Sequence, residues 1–345
     1  MKIIVDTMSG DNAPAEILKG TLAAASEFEA EFVLVGDLER LQDLAVENGY
    51  DLSSFEIVDT KTVITMEDDP LCVVRSKSDS SMSVALKMLA EGKGDTVVSA
   101  GNSGALFTGA SLIVRKIRGL KRAAIAAVLP FNPPVLLIDS GANINVTDEC
   151  LEQFAVMGSA YMRHCYGVKA PRVGLLNNGA EDCKGTELQR AAYARLSSSD
   201  EVNFVGNVEG NQLPFDVCDV LVTDGFTGNI LLKSVEGMGK LMMSELKSMF
   251  YASNLTKLSA LLVKNHIREL KHRYDSREYG GAPILGISKP VIKAHGSSNA
   301  KAFKNAIRQA IVVADTGVTY DIAKAAKYFE ERRLREMAEN NKDCE

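Results

Sequence analysis

Short, nearly continuous apolar runs recur along this chain and alternate with longer stretches in which apolar residues return every three or four positions. The runs are Ile3 to Val5, Phe32 to Val35, Thr96 to Ser99, Ile125 to Leu129, Val135 to Asp139, Arg172 to Leu176, Val220 to Val222 and Pro290 to Ala294. Unbroken apolarity of this length suits a strand covered on both faces, whereas a half-exposed strand would alternate. Helical spacing fills the intervals at Glu16 to Ser26, Leu38 to Glu47, Val84 to Leu89, Ala105 to Ile113 and the segment carrying Phe154, Met157 and Tyr161. Strand and helix in this rhythm predict an α/β fold with a mostly parallel sheet.

Two regions depart from the rhythm. Between Val58 and Ser81 the pattern loosens around Asp68, Asp69 and Pro70, as in a binding loop or lid, with Arg75 and Lys77 either contacting an anion or lying solvated. Past residue 238, Leu241 to Phe250 and Leu255 to Tyr274 read as helix, but Leu255, Leu258 and Leu262 share one face while Val263, Ile267, Leu270 and Tyr274 share another. That change of phase predicts two helices or a bend near Leu262. The second piece is basic (Lys264, His266, Arg268, Lys271, His272, Arg273) and adjoins the apolar run Leu261, Leu262 and Val263. Residues 238–276 are thus expected to form an amphipathic helical hairpin, for a membrane surface, an acidic partner or a second copy of the chain. A Gly-rich turn is expected at Tyr279 to Pro283, then a last strand and two amphipathic helices, Ala302 to Ala314 and Asp321 to Ala338, with a frayed tail.

The chemistry concentrates just after the strands. Small and amide residues follow run after run: DTMSGDNAP from Asp6, AGNSGA from Ala100, DSGANIN from Asp139, NNGAEDCKG from Asn177, DGFTGN from Asp224 and HGSSNA from His295. At the carboxyl end of a parallel strand such a turn can aim backbone N–H groups and a helix dipole at an anion. Asp6, Gly10, Asp11, Gly101, Asn102, Ser103, Gly104, Asn143, Asn177, Asp224, Thr227, Gly228 and Ser297 are the candidate phosphate and substrate ligands. Each turn also admits a plainer reading as a capped helix start: Asp11 or Asn12 before a helix opened by Pro14, Thr147 or Asp148 before the helix that follows. Lys184 is the one basic side chain in these turns and could hold an anion or protonate a leaving group; His295 could move a proton.

Composition narrows the classes. At 345 residues and 46% hydrophobic the chain can bury one large domain or two smaller ones, and its net charge of −6 speaks against general nucleic-acid binding. Six cysteines without CxxC or CxxH spacing suggest neither a zinc site nor a redox pair. The KIIVD opening is too quickly charged for a signal peptide, and no run approaches the ~18 residues a membrane span needs, so the expected place is the cytoplasm. No GxxxxGK[ST], no clear GxGxxG after the first strand and no Ser-His-Asp arrangement occurs, which disfavours ATP, nicotinamide and serine-hydrolase chemistry. Neutral donors with one lysine suit inorganic phosphate and a tetrahedral oxyanion, which points to phosphate or acyl transfer with no metal and no cofactor.

VDTMSGDNAP, SAGNSGAL, DSGAN, LLNNGAEDCKG, GNVEG, DGFTGNILLKSVEG, YGGAPILG and KAHGSSNA, taken in order across nearly the whole chain, resemble the bacterial phosphate acyltransferase family PlsX. The resemblance implies a single domain over residues 1–345, a three-layer α/β/α sandwich similar to the phosphotransacetylase and isocitrate dehydrogenase type. It implies conversion of acyl-[acyl carrier protein] and inorganic phosphate to acyl phosphate and free carrier protein, for phospholipid synthesis. It further implies a homodimer bound peripherally to the inner face of the cell membrane, with the downstream glycerol-3-phosphate acyltransferase as a further partner. Lys184 and Asn229 match positions that the family is thought to use in catalysis, with His295 assisting. Ser9 stands where a second glycine is usual and Asn178 where an aliphatic residue is usual. The rival readings are a phosphotransacetylase acting on a CoA thioester and a non-catalytic membrane scaffold. The acidic carrier protein would dock on the basic helix or on Arg115, Lys116, Arg118, Lys121 and Arg122.

Overall fold

The computed structural model describes residues 1–274 and 280–342. In chain order its elements are β1 (Lys2–Asp6), α1 (Ala15–Ala25), β2 (Glu31–Gly36), α2 (Leu38–Asn48), β3 (Glu56–Asp59), α3 (Ser81–Ala90), β4 (Thr96–Ser99) and α4 (Ser103–Gly109). There follow β5 (Ala124–Leu129), β6 (Val135–Ile138), α5 (Asp148–Tyr166), β7 (Arg172–Leu176), α6 (Glu187–Ser197), β8 (Asn203–Val208) and β9 (Val220–Val222). The chain closes with α7 (Gly225–Tyr251), α8 (Asn254–Leu262), α9 (Lys264–Tyr274), β10 (Ala282–Leu285), β11 (Val291–Lys293), α10 (Ala300–Asp315) and α11 (Val318–Lys342). A 3₁₀ turn spans Pro70–Val74, and α4 runs on as a π-helical stretch, Ala110–Arg115.

All strands join one sheet in the order β3-β2-β1-β4-β11-β10-β5-β6-β9-β7-β8. Two parallel blocks, β3-β2-β1-β4-β11 and β6-β9-β7-β8, flank a centre in which β10 pairs antiparallel with β11 and β5, and β5 pairs antiparallel with β6. Following the strand sense through those pairings shows that the two blocks run in opposite directions. Their carboxyl ends therefore lie at opposite edges, and residues from both can meet only over a face.

The two faces are covered differently. One carries a continuous core from Ile3, Val5 and Val98 through Ala126 and Ile138 to Val173 and Val222, under α1, α5 and α10. On the other face the core is split. One cluster gathers Ile4, Val35, Val97, Ile125 and Val291 with Leu86, Ala105 and Leu106; a second gathers Leu129, Leu137, Leu221 and Leu213, with Leu231 and Leu232 of α7 packed on it. Between the clusters, Lys293, Ala282 and Ala127 are only partly covered. Apart from Lys293 the residues at this central position are small, so the sheet is thinly covered there and a groove runs between the two clusters.

α5 is buried along most of its length, and this brings Glu152 fully inside, where Arg332 donates to it at 2.9 and 2.6 Å and Arg195 at 3.4 Å. The three side chains tie α5, α6 and α11 together. The apolar tail of the molecule is the opposite case: α8 buries no residue, and Leu255, Leu258, Leu261 and Leu262 are 60–83% exposed. The expected change of phase near Leu262 is a break at Val263 between α8 and α9.

Several expectations need correction. Ala282 and Pro283 belong to β10, not to a turn; β10 pairs with β11 through these two and with β5 through Ile284 and Leu285. Splitting its partners along its length lets a central strand carry a proline, whose missing N–H would otherwise break a ladder. Neither Asp11 nor Asn12 caps α1: Pro14 holds the cap position, and the Asn12 amide instead donates to the carbonyls of Ser297 and Ser298. β3 and β8, on the two edges, have mixed polarity and gave no apolar run. Thr147, not Asp148, caps α5. Tyr279, the last two residues of the expected 238–276 hairpin and the tail past residue 342, with Cys344, lie outside the described residues.

Candidate active site

The exits of β1, β4 and β11 form one assembly. Asp6 is fully buried at the end of β1, with Ser99 Oγ donating to its Oδ2 at 2.6 Å and the hydroxyls of Ser81 and Ser9 alongside. Burial pushes its carboxyl pKa up, against the pull of those hydroxyls. Gly10 (φ 119°) fits against Ala100 and the Gly296 carbonyl, and the Asp11 N–H donates to that same carbonyl at 2.9 Å. Asn102 is 8% exposed and fully engaged: its amide donates to the carbonyls of Thr65, Met66 and Asp68, while Oδ1 accepts from the N–H groups of Gly104 and Ala105. Gly101 is buried against Met82 and Ser9, and Ser103 is exposed.

At the other edge the exits of β6 and β9 interlock. Asp139, fully buried, accepts on Oδ1 from the N–H groups of Ile125, Gly141 and Ala142, and on Oδ2 from Asn143 N–H at 2.7 Å and Asn143 Nδ2 at 2.8 Å. Asn143 Nδ2 also donates to the Ala123 carbonyl. The first turn of α7 lies directly on this loop. Gly225 N–H donates to the Asn143 carbonyl at 2.7 Å, and a methyl at Gly228 would stand 1.9 Å from the Asp139 carbonyl oxygen, so only glycine allows the approach. Asp224 caps α7 by accepting from Thr227 N–H and Thr227 Oγ1.

α7 then crosses the groove side of the sheet. Asn229, Lys233 and Glu236 follow at helical spacing and share a stripe of this helix. Asn229 is exposed and lies against Gly141, and Lys233 pairs with Glu236 at 2.9 Å. The same Lys233 and Glu236 act electrostatically on His295 and Lys293 from the opposite block. The stripe that carries Asn229 therefore faces the exit of β11. His295 Nδ1 accepts from Ser297 N–H at 3.2 Å and stands 2.9 Å from Ser297 Oγ, an arrangement that places the neutral ring's proton on Nε2. Partial enclosure, then the positive charges of Lys233 and Lys293, lower the imidazole pKa, so His295 is a neutral Nε2–H donor at pH 7.

Lys184 is exposed on the loop after β7. Asn177 Nδ2 donates to the Lys184 carbonyl at 3.2 Å and Asn207 Nδ2 to the Glu181 carbonyl at 2.7 Å, which braces the loop from both ends. No hydrogen bond joins Lys184 to Asn229 or His295 among the described residues. In the basic run, Arg118 pairs with Glu330 and Lys121 with Glu149.

The geometry redistributes the roles expected of the turns. N–H groups at Gly104, Ala105, Gly225, Thr227 and Gly228 already bond to protein, so the starts of α4 and α7 have few left for an anion. Asn102, Asn143 and Asp224 brace the loops. What faces the groove is a set of side chains: Asn229, Lys233, His295 and Lys293. Sequence reasoning passed over Asp139 as a hub and Lys293 as a charge, because both sit at the ends of apolar runs where a strand reading absorbs them.

Comparison with known proteins follows the same lines. Residues 1–320 match the family model described as fatty acid synthesis protein. A phosphate acyltransferase of Clostridioides difficile (strain 630) is 42% identical over 97% of this chain and 99% of its own length, and one of Acetivibrio thermocellus is 46% identical over 92% and 94%. Among solved structures, a phosphotransacetylase from Streptococcus pyogenes superposes with a TM-score of 0.62 at 15% identity, covering 91% of this chain and 94% of that one. A branched-chain phosphotransacylase from Enterococcus faecalis V583 gives 0.55 at 14%, covering 92% and 99%. The structural likenesses establish the shared α/β architecture. With a match over residues 1–320 and relatives at 42% and 46% identity that cover 97% and 92% of it, the chain belongs to the fatty acid synthesis protein family, as an acyltransferase of the phosphate acyltransferase kind.

Proposed function

We propose that this phosphate acyltransferase takes the acyl group of acyl-[acyl carrier protein] onto inorganic phosphate within the groove, by direct attack and without an acyl-enzyme. An oxygen of hydrogen phosphate attacks the thioester carbonyl carbon, the tetrahedral oxyanion collapses, the C–S bond breaks, and the phosphate's proton passes to the departing thiolate. A thioester already carries a good leaving group, so the protein's task is to hold two reactants together and to stabilise negative charge. The observation that carries this reading is that α7, which sets Asn229 against Gly141 at the exit of β6, also carries Lys233 and Glu236, whose charges act on the neutral donor His295 at the exit of β11. Asn229 stabilises the oxyanion, His295 relays the proton, and Lys184, on its exposed loop, meets the thiolate or oxyanion as the substrate enters. Gly10, Asp11, Ser103, Thr227 and Ser297 shape the walls, with Asp6, Gly101 and Gly228 buried behind them.

Phosphate-dependent release of free thiol, read with acyl carrier protein and CoA thioesters side by side, is the test. Asn229→Ala or Lys184→Ala is expected to lower kcat by about a hundredfold, the loss of ~3 kcal/mol that one oxyanion donor supplies. Full activity in either folded variant would remove that residue from the mechanism.

The chain is built on one sheet as one α/β domain, with the described part of the hairpin, residues 238–274, as its appendage. No helix among the described residues is long and apolar enough to cross a membrane. The exposed leucines of α8, with Leu261, Leu262 and Val263 at its end, support peripheral contact with the inner membrane face, and the exposed Met238, Leu241, Met242 and Met249 of α7 support a homodimer. Replacing Leu258, Leu261 and Leu262 with serine should abolish co-flotation with anionic vesicles while sparing thiol release in solution; unchanged flotation would reject the contact.

A further inference from the structure

Lys293 ends β11 and sits in a register row that crosses the groove. β11 sets it beside Ser99 of β4, whose hydroxyl binds Asp6, and β10 sets it beside Ala282. On the far side, Leu137 and Leu221 pair in the second cluster. The floor of the groove therefore holds one ammonium among small and apolar residues.

That ammonium has no hydrogen bond and no ion pair among the described residues. The charged groups around it are Lys233 and Glu236, which neutralise each other at 2.9 Å; Lys240 joins them around the neighbouring His295. Asp6, one strand further on, accepts from Ser99 on Oδ2 and is not among the charged groups that act on Lys293. A partly buried cation whose one acidic neighbour, Glu236, is already paired with Lys233 is a costly arrangement, and proteins keep one where an anion completes it. Burial, followed by the charge of Lys233, lowers the Lys293 pKa, as a site short of negative charge requires.

We infer that Lys293 is the cationic floor of the phosphate seat, binding the attacking dianion between His295 and the Asn229 stripe of α7. This rests on the reaction proposed above and assigns it a residue that holds the nucleophile. A lysine at the base of the groove and donors along its walls place phosphate beneath an incoming thioester, with the oxyanion side toward Asn229. Lys184, on a separate loop, is left to the sulfur end.

The test separates phosphate binding from turnover. Binding of inorganic phosphate to the full chain, without acyl donor, is followed by ³¹P line broadening or calorimetry for wild type, Lys293→Met, Lys293→Gln and Lys293→Arg. Loss of a charged hydrogen-bonding partner predicts a rise in the phosphate Kd of about tenfold to a hundredfold in Lys293→Met and Lys293→Gln. Lys293→Arg is expected to recover part of the affinity. In turnover, the KM for phosphate should rise while the KM for the acyl thioester stays within about twofold, and the melting temperature should hold or increase because an uncompensated charge has been removed. Unchanged phosphate Kd in both neutral variants, or an equal rise in both KM values, overturns the assignment. Should wild type bind phosphate through Lys293 yet release no thiol, the reaction proposed above fails and the phosphate seat stands.

Discussion

Gly228 offers the sharpest test of how the site is aligned. A methyl there would lie 1.9 Å from the Asp139 carbonyl oxygen, 1.5 Å inside the 3.4 Å at which ordinary contact begins. The obstacle is backbone on a loop whose carboxylate accepts five N–H bonds, so it cannot swing aside as a flexible side-chain tip could. Gly228→Ala must therefore push the first turn of α7, and Asn229 with it, by about 1 Å or more. Overpacking of this kind costs about 1–3 kcal/mol of stability. A displacement of ~1 Å at a reacting group costs about a hundredfold in rate, so kcat should fall more than the modest loss of folding suggests. The assay is kcat for phosphate-dependent thiol release at saturating substrates, with urea unfolding of the same samples. Gly237→Ala is the control: it lies on the same helix with nothing within 4 Å and should gain about 0.5–1 kcal/mol from helix propensity at full activity. A Gly228→Ala protein with wild-type kcat would show that the α7 start does not set the position of the reacting groups.

Two further predictions concern charge. Glu152→Gln leaves Arg195 and Arg332 without their shared carboxylate and should lower stability by about 3 kcal/mol, the low end for a buried pair because both arginines are partly open to water; a urea-derived loss below ~1 kcal/mol would show the cluster to be incidental. For His295, a lowered pKa keeps the ring neutral to a pH below the ordinary 6.5, so the acid limb of kcat/KM should fall beneath that value. Lys233→Gln removes a positive neighbour and should move the limb upward; a limb that stays in place would take His295 out of the proton path.

Much of the fold was legible because a strand covered on both faces must be apolar throughout, and the central runs satisfied that demand almost residue for residue. Direction was not legible. Nothing in Val135 to Ile138 says that it runs against Ala124 to Leu129, and hence nothing said that the two sets of exits leave from opposite edges. Edge strands failed for a related reason: Asn203 to Val208 needs cover on one side only and carries polar residues accordingly. At the site, the turns were identified but their chemistry was misapportioned. Asn and Asp are the residues that bind anion-seeking N–H groups themselves, so Asn102 and Asp224 satisfy the very helix starts they seemed to advertise. Lys293 escaped notice because five letters of a strand, PVIKA, conceal a side chain whose meaning depends on what stands across the sheet from it.

α7 is one unbroken helix of 27 residues, about 40 Å long at ~1.5 Å per residue. It begins against the loop that seats Asn229 and ends where the exposed leucines of α8 take over. A rod of that length is a spacer. The far end of α7 lies about 33 Å from Asn229 along the helix axis, at ~1.5 Å for each residue to Tyr251, so the exposed leucines that follow start well away from that residue. A change at the far end need not disturb the groove, whereas a tilt of the rod would reach Asn229, Lys233 and Glu236 together.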